Sequence, residues 1–242
     1  MCKIIAFIQA IVYNTGMKSI IFDLYNTLIK TSTDEDRQES WLPVVAFFRE
    51  RGLEVEWQTL RGWYDEFWYE QLDELKKQKK YAYPEADVVK VFKRMATELG
   101  GSFSDETAEE AARCARRAST LTWELFDGTV QLIAGLKARG AKLYILSNAQ
   151  AAVTRDELDE LGFTNKFDGI LLSSECGCKK PDPKFFRMLF DKYGIQKRDA
   201  LMVGDEYKSD IIGAKNAGIK SIWAKDGAPS VAQKILKAAE EK

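Results

Sequence analysis

The sequence contains no histidine, and this absence excludes several classes of catalytic site at once. Without an imidazole the chain cannot form a Ser-His or Cys-His nucleophile pair, an imidazole general base, or a His-ligated zinc or haem site. Any catalysis by this chain must therefore use carboxylates, Lys, Tyr, Ser, Thr or Cys.

An excess of charge of either sign is also missing, because 36 Lys and Arg residues face 37 Asp and Glu residues, for a net charge of -1. A chain without a basic field does not hold a polyanion by counterion release, so nucleic acid is excluded as the main partner. The composition, with 45% apolar and 30% charged residues among 242, is that of an ordinary globular protein. At this length, one large domain or two modest ones are expected.

Cysteine and long apolar runs are scarce as well. The four cysteines fit neither a zinc knuckle nor a disulfide framework, which favours a reducing cytoplasm. The apolar run at residues 4–13 is too short to span a bilayer, which takes about 20 apolar residues. We expect no membrane partner, and we expect residues 1–16 to be an N-terminal extension outside the fold.

From about residue 128 onward the sequence alternates helix-like and strand-like segments, and a strand-like run, KSIIFD, lies at residues 18–23. Such alternation is typical of βαβ units, with helices on both faces of a parallel sheet. We therefore predict an α/β fold with a Rossmann-like three-layer core formed by residues 17–30 and 123–242. Residues 31–122 contain no good strand and predict an inserted helical cap, with helices at 34–51, 57–77, 85–99 and 105–125.

Polar residues follow the predicted strands where each strand ends. Asp23 ends the first strand, Ser147 and Asn148 end another, Lys180 lies in the loop after a third, and Asp205 follows a fourth. Asp210 comes five residues after Asp205. The carboxyl ends of parallel strands share one edge of a sheet, which is where ligands bind in such folds. We expect all of these side chains to converge there.

Three converging carboxylates repel one another unless a positive charge lies among them. Oxygen ligands with room for water suit Mg²⁺ better than a soft metal, and the same ion would hold a phosphate. Lys180 would neutralise the nucleophile or the substrate anion. Ser147 and nearby backbone amides would donate hydrogen bonds to the charge that develops on the transferred group.

Four motifs in this order resemble those of the haloacid dehalogenase-like hydrolase superfamily. They are Asp23-Leu-Tyr-Asn-Thr27, Ser147-Asn148, Lys180-Pro-Asp-Pro and Gly204-Asp205-Glu-Tyr-Lys-Ser-Asp210. The resemblance covers residues 18–226, and the helical insert matches the cap that this superfamily places after its first strand. It implies a hydrolase with a small-molecule substrate, as a monomer or a homodimer.

The resemblance also implies a role for each site residue. Asp23 would be the nucleophile. Asp23, Asp205 and Asp210 would be the carboxylate ligands of Mg²⁺. The backbone carbonyl of Tyr25 would complete the metal site. Thr27 would orient the nucleophile loop, and Lys180 would balance charge. The candidate substrate-binding residues are Thr27, Ser147 and Asn148. A carboxylate nucleophile needs no activating base, because it is already ionised at neutral pH.

Tyr25 departs from the pattern of phosphatases in this superfamily. At this position those enzymes have a second Asp, which acts as the general acid and base. A phenol is a poor base at neutral pH, and Glu206 or a cap residue would have to replace the missing acid. Tyr at this place resembles the metal-free 2-haloacid dehalogenases, which lack the acidic last motif and bind the substrate carboxylate with an early cap arginine, here loosely matched by Arg37. We favour a Mg²⁺-dependent phosphatase acting on a small phosphomonoester. The alternatives are a 2-haloacid dehalogenase and a weakly active phosphate-binding regulatory protein.

Overall fold

The computed structural model describes residues 18–240. The strands are β1 (Ser19–Phe22), β2 (Ile29–Thr33), β3 (Thr120–Leu125), β4 (Lys142–Ser147), β5 (Gly169–Leu172), β6 (Ala200–Gly204) and β7 (Lys220–Trp223). The α-helices are α1 (Gln38–Arg49), α2 (Trp57–Lys77), α3 (Val88–Glu98), α4 (Asp105–Ser119), α5 (Thr129–Ala138), α6 (Ala151–Glu160), α7 (Ser173–Cys176), α8 (Pro183–Tyr193), α9 (Gly213–Ala217) and α10 (Ala232–Glu240). A π-helical turn spans Tyr207–Ile212, and 3-10 turns span Lys197–Asp199 and Ala228–Val231.

Five strands form one parallel sheet in the order β5-β4-β1-β6-β7, which confirms the predicted α/β architecture. The central strand β1 is buried along its whole length, as its continuous apolar run predicts. Ile20 and Phe22 pack on one face with α5 and α10, whereas Ile21 packs on the other face with α8. Because the faces alternate along the strand, the sheet has a hydrophobic layer on each side.

Helices α1 to α4 pack around a separate hydrophobic cluster. Its centre contains Trp41, Phe48, Phe92 and Met95, none of which is more than 2% exposed. Five aromatic residues of α2 belong to this cluster or pack against it, whereas Tyr69 is 62% exposed; the five are Trp57, Trp63, Tyr64, Phe67 and Trp68. Most of these rings therefore serve packing.

The structure corrects the prediction of a helix at residues 105–125. Helix α4 ends at Ser119, and Thr120–Leu125 forms β3, which pairs antiparallel with β2. The segment TLTWEL is rich in β-branched and aromatic residues, which favour a strand once a partner strand lies beside it. The chain therefore enters and leaves the helical insert through a two-stranded ribbon, and the expectation that residues 31–122 contain no strand was wrong. The treatment of residues 31–122 as a separate cap domain stays a prediction.

The predicted N-terminal extension, residues 1–16, lies outside the described residues. None of the helices between residues 18 and 240 combines the length and the apolar character that crossing a membrane requires.

Candidate active site

The structure brings the three predicted carboxylates together at the carboxyl edge of the sheet. Asp23 follows β1, Asp205 follows β6, and Asp210 lies in the π-helical turn after β6. One oxygen of each carboxylate lies within 4.8 Å of the other two. Asp23 and Asp210 are buried, and Asp205 is half-buried.

Lys180 connects two of these carboxylates. Its Nζ lies 2.6 Å from Asp23 Oδ1 and 2.6 Å from Asp210 Oδ1, with its side chain only 2% exposed. Burial alone would lower the pKa of Lys180, but the charges of Asp210 and Asp23 outweigh it and raise that pKa. The ammonium therefore stays charged at neutral pH and holds both carboxylates in place.

Thr27 and Trp223 fix Asp205. The Thr27 hydroxyl donates to Asp205 Oδ1 over 2.9 Å and accepts from the Asp205 backbone amide over 3.1 Å. The indole N–H of Trp223 donates to the backbone carbonyl of Asp205 over 2.7 Å. Partial burial and the charge of Asp23 raise the pKa of Asp205.

Asp210 fits its place because Gly204 has no side chain. A Cβ built on Gly204 would lie 2.1 Å from Asp210 Oδ2, well inside van der Waals contact. The same oxygen accepts a hydrogen bond from the backbone amide of Glu206 over 3.0 Å. Burial is the main cause that raises the pKa of Asp210, while Lys180 opposes this rise.

The residues of the second motif lie at the same edge. Ser147 ends β4 and is almost fully buried. The Asn148 side chain holds the loop of Lys180, because its Oδ1 accepts from the Lys180 amide over 2.8 Å and its Nδ2 donates to the Lys180 carbonyl over 3.0 Å. Asn148 therefore positions Lys180, and substrate binding by Ser147, Asn148 and Thr27 stays a prediction.

The Tyr25 side chain is committed elsewhere. Its hydroxyl donates to Glu157 and lies 2.9 Å from the Thr154 hydroxyl, both on α6. The guanidinium carbon of Arg116, on α4, lies 4.9 Å from the centre of the Tyr25 ring, and Arg116 Nε binds Glu157 over 2.9 Å. Burial, followed by the charge of Glu157, raises the pKa of Tyr25. Tyr25 thus joins the loop after β1 to α4 and α6.

A cavity of about 270 Å³ lies between the insert and the sheet edge. Its wall includes Tyr25 and Asn148 from the sheet side and Trp41, Tyr64 and Arg116 from the insert. A second, more open groove of about 430 Å³ is lined by Trp68, Tyr83, Asn148, Lys180 and Lys208. Both openings reach Asn148, whose side chain holds the Lys180 loop, and the groove also reaches Lys180 itself.

The donor set fits Mg²⁺. The three grouped carboxylates offer only oxygen atoms, which a hard cation prefers. When all are ionised, three carboxylates and the single Lys180 ammonium leave a net charge of -2 in a largely buried cluster. A divalent cation would balance that charge.

Sequence reasoning named two other candidates that the structure places differently. The Arg37 guanidinium binds the Ser40 hydroxyl over 3.0 Å and the Ala118 carbonyl over 3.1 Å, so it is already paired. The Glu206 carboxylate accepts from the backbone amide of Ser209. Partial burial alone would raise the pKa of Glu206, but hydrogen bonds from the turn outweigh it and lower that pKa. Glu206 therefore stays ionised at neutral pH.

Sequence reasoning missed the residues that hold the site residues in place, above all Glu157, Arg116 and Trp223. Each lies more than fifteen residues from the group it contacts, and Tyr25 is 132 positions from Glu157. No local motif marks such contacts. The one available signal was Tyr25 itself, a large phenol two residues after Asp23 that needs a partner for its hydroxyl when it is buried.

Comparison with known proteins agrees with this geometry. The family model described as haloacid dehalogenase-like hydrolase matches residues 17–218. The chain is 33% identical over 138 residues to a phosphoserine phosphatase of Thermus thermophilus, covering 57% of this chain and 54% of that protein. It is 27% identical over 210 residues to a pyrimidine 5'-nucleotidase of Streptococcus pneumoniae, covering 85% of this chain and 83% of that one. The match thus spans about half the length of the first of these relatives.

The fold is similar to that of a 2-haloacid dehalogenase from Pseudomonas syringae pv. Tomato, with a TM-score of 0.59, 22% identity and 86% coverage of both chains. A phosphatase from Thermococcus onnurineus gives a TM-score of 0.51 at 22% identity, with 86% coverage of both chains. At these identities the likeness concerns the fold alone. The family match, which covers most of the chain and contains all four motifs up to Asp210, shows that this protein belongs to the haloacid dehalogenase-like hydrolases.

Proposed function

We propose that this hydrolase is a Mg²⁺-dependent phosphatase that acts on a small phosphomonoester through an aspartyl-phosphate intermediate on Asp23. The observation that carries the proposal is the grouping of Asp23, Asp205 and Asp210, with one oxygen of each within 4.8 Å. A metal-free dehalogenation would leave Lys180 as the one positive charge described among these three carboxylates, without a metal cation to balance the rest. Relatives named phosphoserine phosphatase and pyrimidine 5'-nucleotidase support the same reaction class.

In this mechanism Asp23 attacks the phosphorus in line, while Lys180 keeps the carboxylate oriented through their 2.6 Å contact. The cavity beside Tyr25 holds the leaving group, and water then attacks the phosphorus of the aspartyl phosphate and releases inorganic phosphate. Asp23, Asp205, Asp210 and the Tyr25 carbonyl would hold Mg²⁺, which would compensate the charge of the phosphoryl oxygens. Closure of the insert over the site would exclude bulk water during the first step.

We place the reaction in the cytoplasm, consistent with free thiols at Cys114, Cys176 and Cys178.

The test is hydrolysis of p-nitrophenyl phosphate with Mg²⁺ and with EDTA. We expect turnover only with Mg²⁺, and Asp23→Asn is expected to reduce it to background because an amide is not a nucleophile here. Asp191→Asn, which changes an exposed aspartate, is the matched control and should keep full turnover. Circular dichroism of both variants checks that the fold persists.

A second candidate, 2-haloacid dehalogenation, is favoured by one observation, the Tyr at position 25. It is measured in parallel as halide release from 2-chloropropionate in EDTA. Halide release without phosphatase turnover would overturn the proposal. Binding of inorganic phosphate with no turnover of either substrate would also overturn it, in favour of a regulatory role.

A further inference from the structure

The cavity of about 270 Å³ between the insert and the sheet edge borders two of the motifs at the candidate site. Its wall includes Tyr25, two residues after Asp23, and Asn148, whose side chain holds the Lys180 loop. Lys180 Nζ in turn lies 2.6 Å from Asp23 Oδ1. The cavity therefore begins within two residues of the proposed nucleophile.

The insert side of this cavity is aromatic. Trp41, Tyr64 and Phe92 line it, and Trp41 and Phe92 also belong to the buried cluster of the insert. The ring centroids of Trp41 and Tyr64 lie 5.5 Å apart with the rings inclined at 63°, and those of Tyr64 and Phe92 lie 6.1 Å apart at 56°. Aromatic side chains prefer such inclined arrangements, so a ring placed in the cavity would extend the same packing.

Small apolar side chains complete much of the remaining wall. Ala112 and Ala115 line the cavity from α4, whereas Ala149 and Val153 line it from the loop before α6 and from α6 itself. An alanine contributes one methyl group, so these positions add apolar surface and take up little of the volume. The wall is therefore apolar on the insert side and on the sheet side.

Polar side chains of the wall are already bound within the protein. The Gln150 side chain accepts from the Val88 backbone amide over 3.0 Å and donates to the Ala86 carbonyl over 3.0 Å. Arg116 Nε donates to Glu157 over 2.9 Å, so that the charge of this guanidinium is compensated. These groups hold the wall in place, and recognition in the cavity depends mainly on ring and methyl surfaces.

We propose, on the basis of the phosphatase function above, that the substrate is a phosphomonoester of an alcohol that carries an aromatic ring, and that this ring binds against Trp41, Tyr64 and Phe92. Hydrolysis of such an ester by water yields the aromatic alcohol and inorganic phosphate. The more open groove, with Lys179 and Lys208, offers cations instead and would suit a second anionic group. The mostly apolar wall of the cavity favours a ring over a second anion.

The experiment measures kcat/KM with Mg²⁺ for 2-phenylethyl, 2-cyclohexylethyl and ethyl phosphate. All are esters of primary alcohols of similar acidity, so their differences report binding of the carbon skeleton rather than ease of bond cleavage. We expect the phenyl ester to exceed the ethyl ester at least about tenfold, as burial of an apolar group of this size predicts. It should exceed the cyclohexyl ester at least about twofold, because aromatic pairs add a preference beyond buried area.

Variants of the wall connect these preferences to the cavity. Ala115→Leu fills part of the space and is expected to bring the phenyl and ethyl esters towards equality. Tyr64→Leu removes a ring and should abolish the preference for phenyl over cyclohexyl, whereas Tyr64→Phe should retain it. Ala118→Leu, on the same helix but outside the cavity wall, is the matched control and should retain both ratios. Each readout compares two substrates on one protein, so partial unfolding of a variant cancels.

Binding without turnover provides a second measurement. The isosteric phosphonates, 3-phenylpropylphosphonate and propylphosphonate, have a carbon–phosphorus bond in place of the ester and are titrated by calorimetry with Mg²⁺. We expect at least about tenfold tighter binding of the phenyl compound to the wild-type chain. This comparison decides for the wild-type chain even where Ala115→Leu does not fold.

Equal kcat/KM for the phenyl and ethyl esters, or equal Kd for the two phosphonates, would overturn the inference and leave the phosphatase function intact. A phenyl preference that Ala115→Leu leaves unchanged would overturn it as well, because the ring would then bind elsewhere. A higher kcat/KM for phosphoglycolate, which carries a second anion, would assign recognition to the groove with Lys179 and Lys208. Halide release in EDTA with no cleavage of any phosphoryl ester would remove the proposed function itself, and the inference with it.

Discussion

Gly204 is a single residue on which the position of a site carboxylate depends. It ends β6, and a Cβ there would lie 2.1 Å from Asp210 Oδ2 and 2.3 Å from Asp210 Cγ. Asp210 cannot move away without losing its 2.6 Å contact with Lys180, because both side chains are buried. Glycine is therefore required by the close approach of a side chain, independent of backbone conformation.

We expect Gly204→Ala to lower the free energy of unfolding by about 1–3 kcal/mol, the usual cost of overpacking a tight core site. The matched control is Gly62→Ala in α2, where an added Cβ meets nothing within 4 Å. That change should raise the free energy of unfolding by about 0.4–1 kcal/mol, because alanine restricts the unfolded chain. Urea denaturation followed by tryptophan fluorescence measures both. Equal stability of the two variants would show that the turn at Asp210 adapts to the extra carbon.

At the scale of elements, contacts between α4 and α6 join the helical insert to the helix that follows β4. Arg113, Arg116 and Arg117 on α4 face Asp156, Glu157 and Glu160 on α6, in pairs separated by 3.3, 2.9 and 3.5 Å. The middle pair is the least exposed, at 20% for Arg116 and 13% for Glu157, and it alone also contacts Tyr25. The three pairs are therefore not equal in energy.

We expect Glu157→Gln to destabilise the protein by about 1–2 kcal/mol, because a neutral amide forms weaker hydrogen bonds than a carboxylate and leaves Arg116 without its counter-ion. Glu160→Gln is the matched control on the same helix, since the Arg117–Glu160 pair is 70% and 56% exposed. Solvent and salt screen such a pair, so that its loss should cost less than about 1 kcal/mol. Denaturation at low and high salt distinguishes the two pairs. A larger loss for Glu160→Gln would contradict this ranking.

The elements that sequence periodicity predicted well are those whose environment is uniform. Strand β1 is buried on both faces, so its continuous apolar run alone predicted it. The prediction of a helix over Thr120–Leu125 was wrong because the partner strand, Ile29–Thr33, lies about ninety residues away. A window of sequence does not contain that partner.

The candidate site divides in the same way. Asp23 and Asp205 follow strands, and parallel strands end at one edge, so their convergence was predictable from order alone. The orientation of Tyr25 was not, because it depends on Glu157 and Thr154 in a helix that packs only in the folded chain. Motif position thus predicts where the backbone of a residue lies, whereas the partner of a side chain requires the tertiary structure.

At the scale of the whole molecule, the carboxylate cluster is expected to make stability depend on pH and, if the proposed site is correct, on Mg²⁺. The pKa of Asp210 is raised from 3.8 to about 7, mainly by burial, and that of Asp205 is raised by burial and by Asp23. A raised carboxyl pKa means that the folded chain binds more protons than the unfolded chain between these values. The stability of the metal-free protein is therefore expected to fall as pH rises from about 4 towards about 7.

We expect Mg²⁺ to reverse that loss, since the proposed site would bind it through the ionised carboxylates of the folded state. At 100 times its Kd a ligand adds about 2.7 kcal/mol, which corresponds to about 5–11 °C in Tm for a chain of this size. We expect the Tm increase on adding Mg²⁺ to be larger at pH 8 than at pH 5.5, because protons compete with the cation at the lower pH. Differential scanning calorimetry with Mg²⁺ and with EDTA at both pH values measures the increase.

Two variants control this experiment. Asp205→Asn, which removes one oxygen ligand and one charge, should reduce the Tm increase at pH 8, whereas Asp191→Asn should retain it. An increase of the same size at both pH values, or one that persists in Asp205→Asn, would mean that the cation binds elsewhere on the chain.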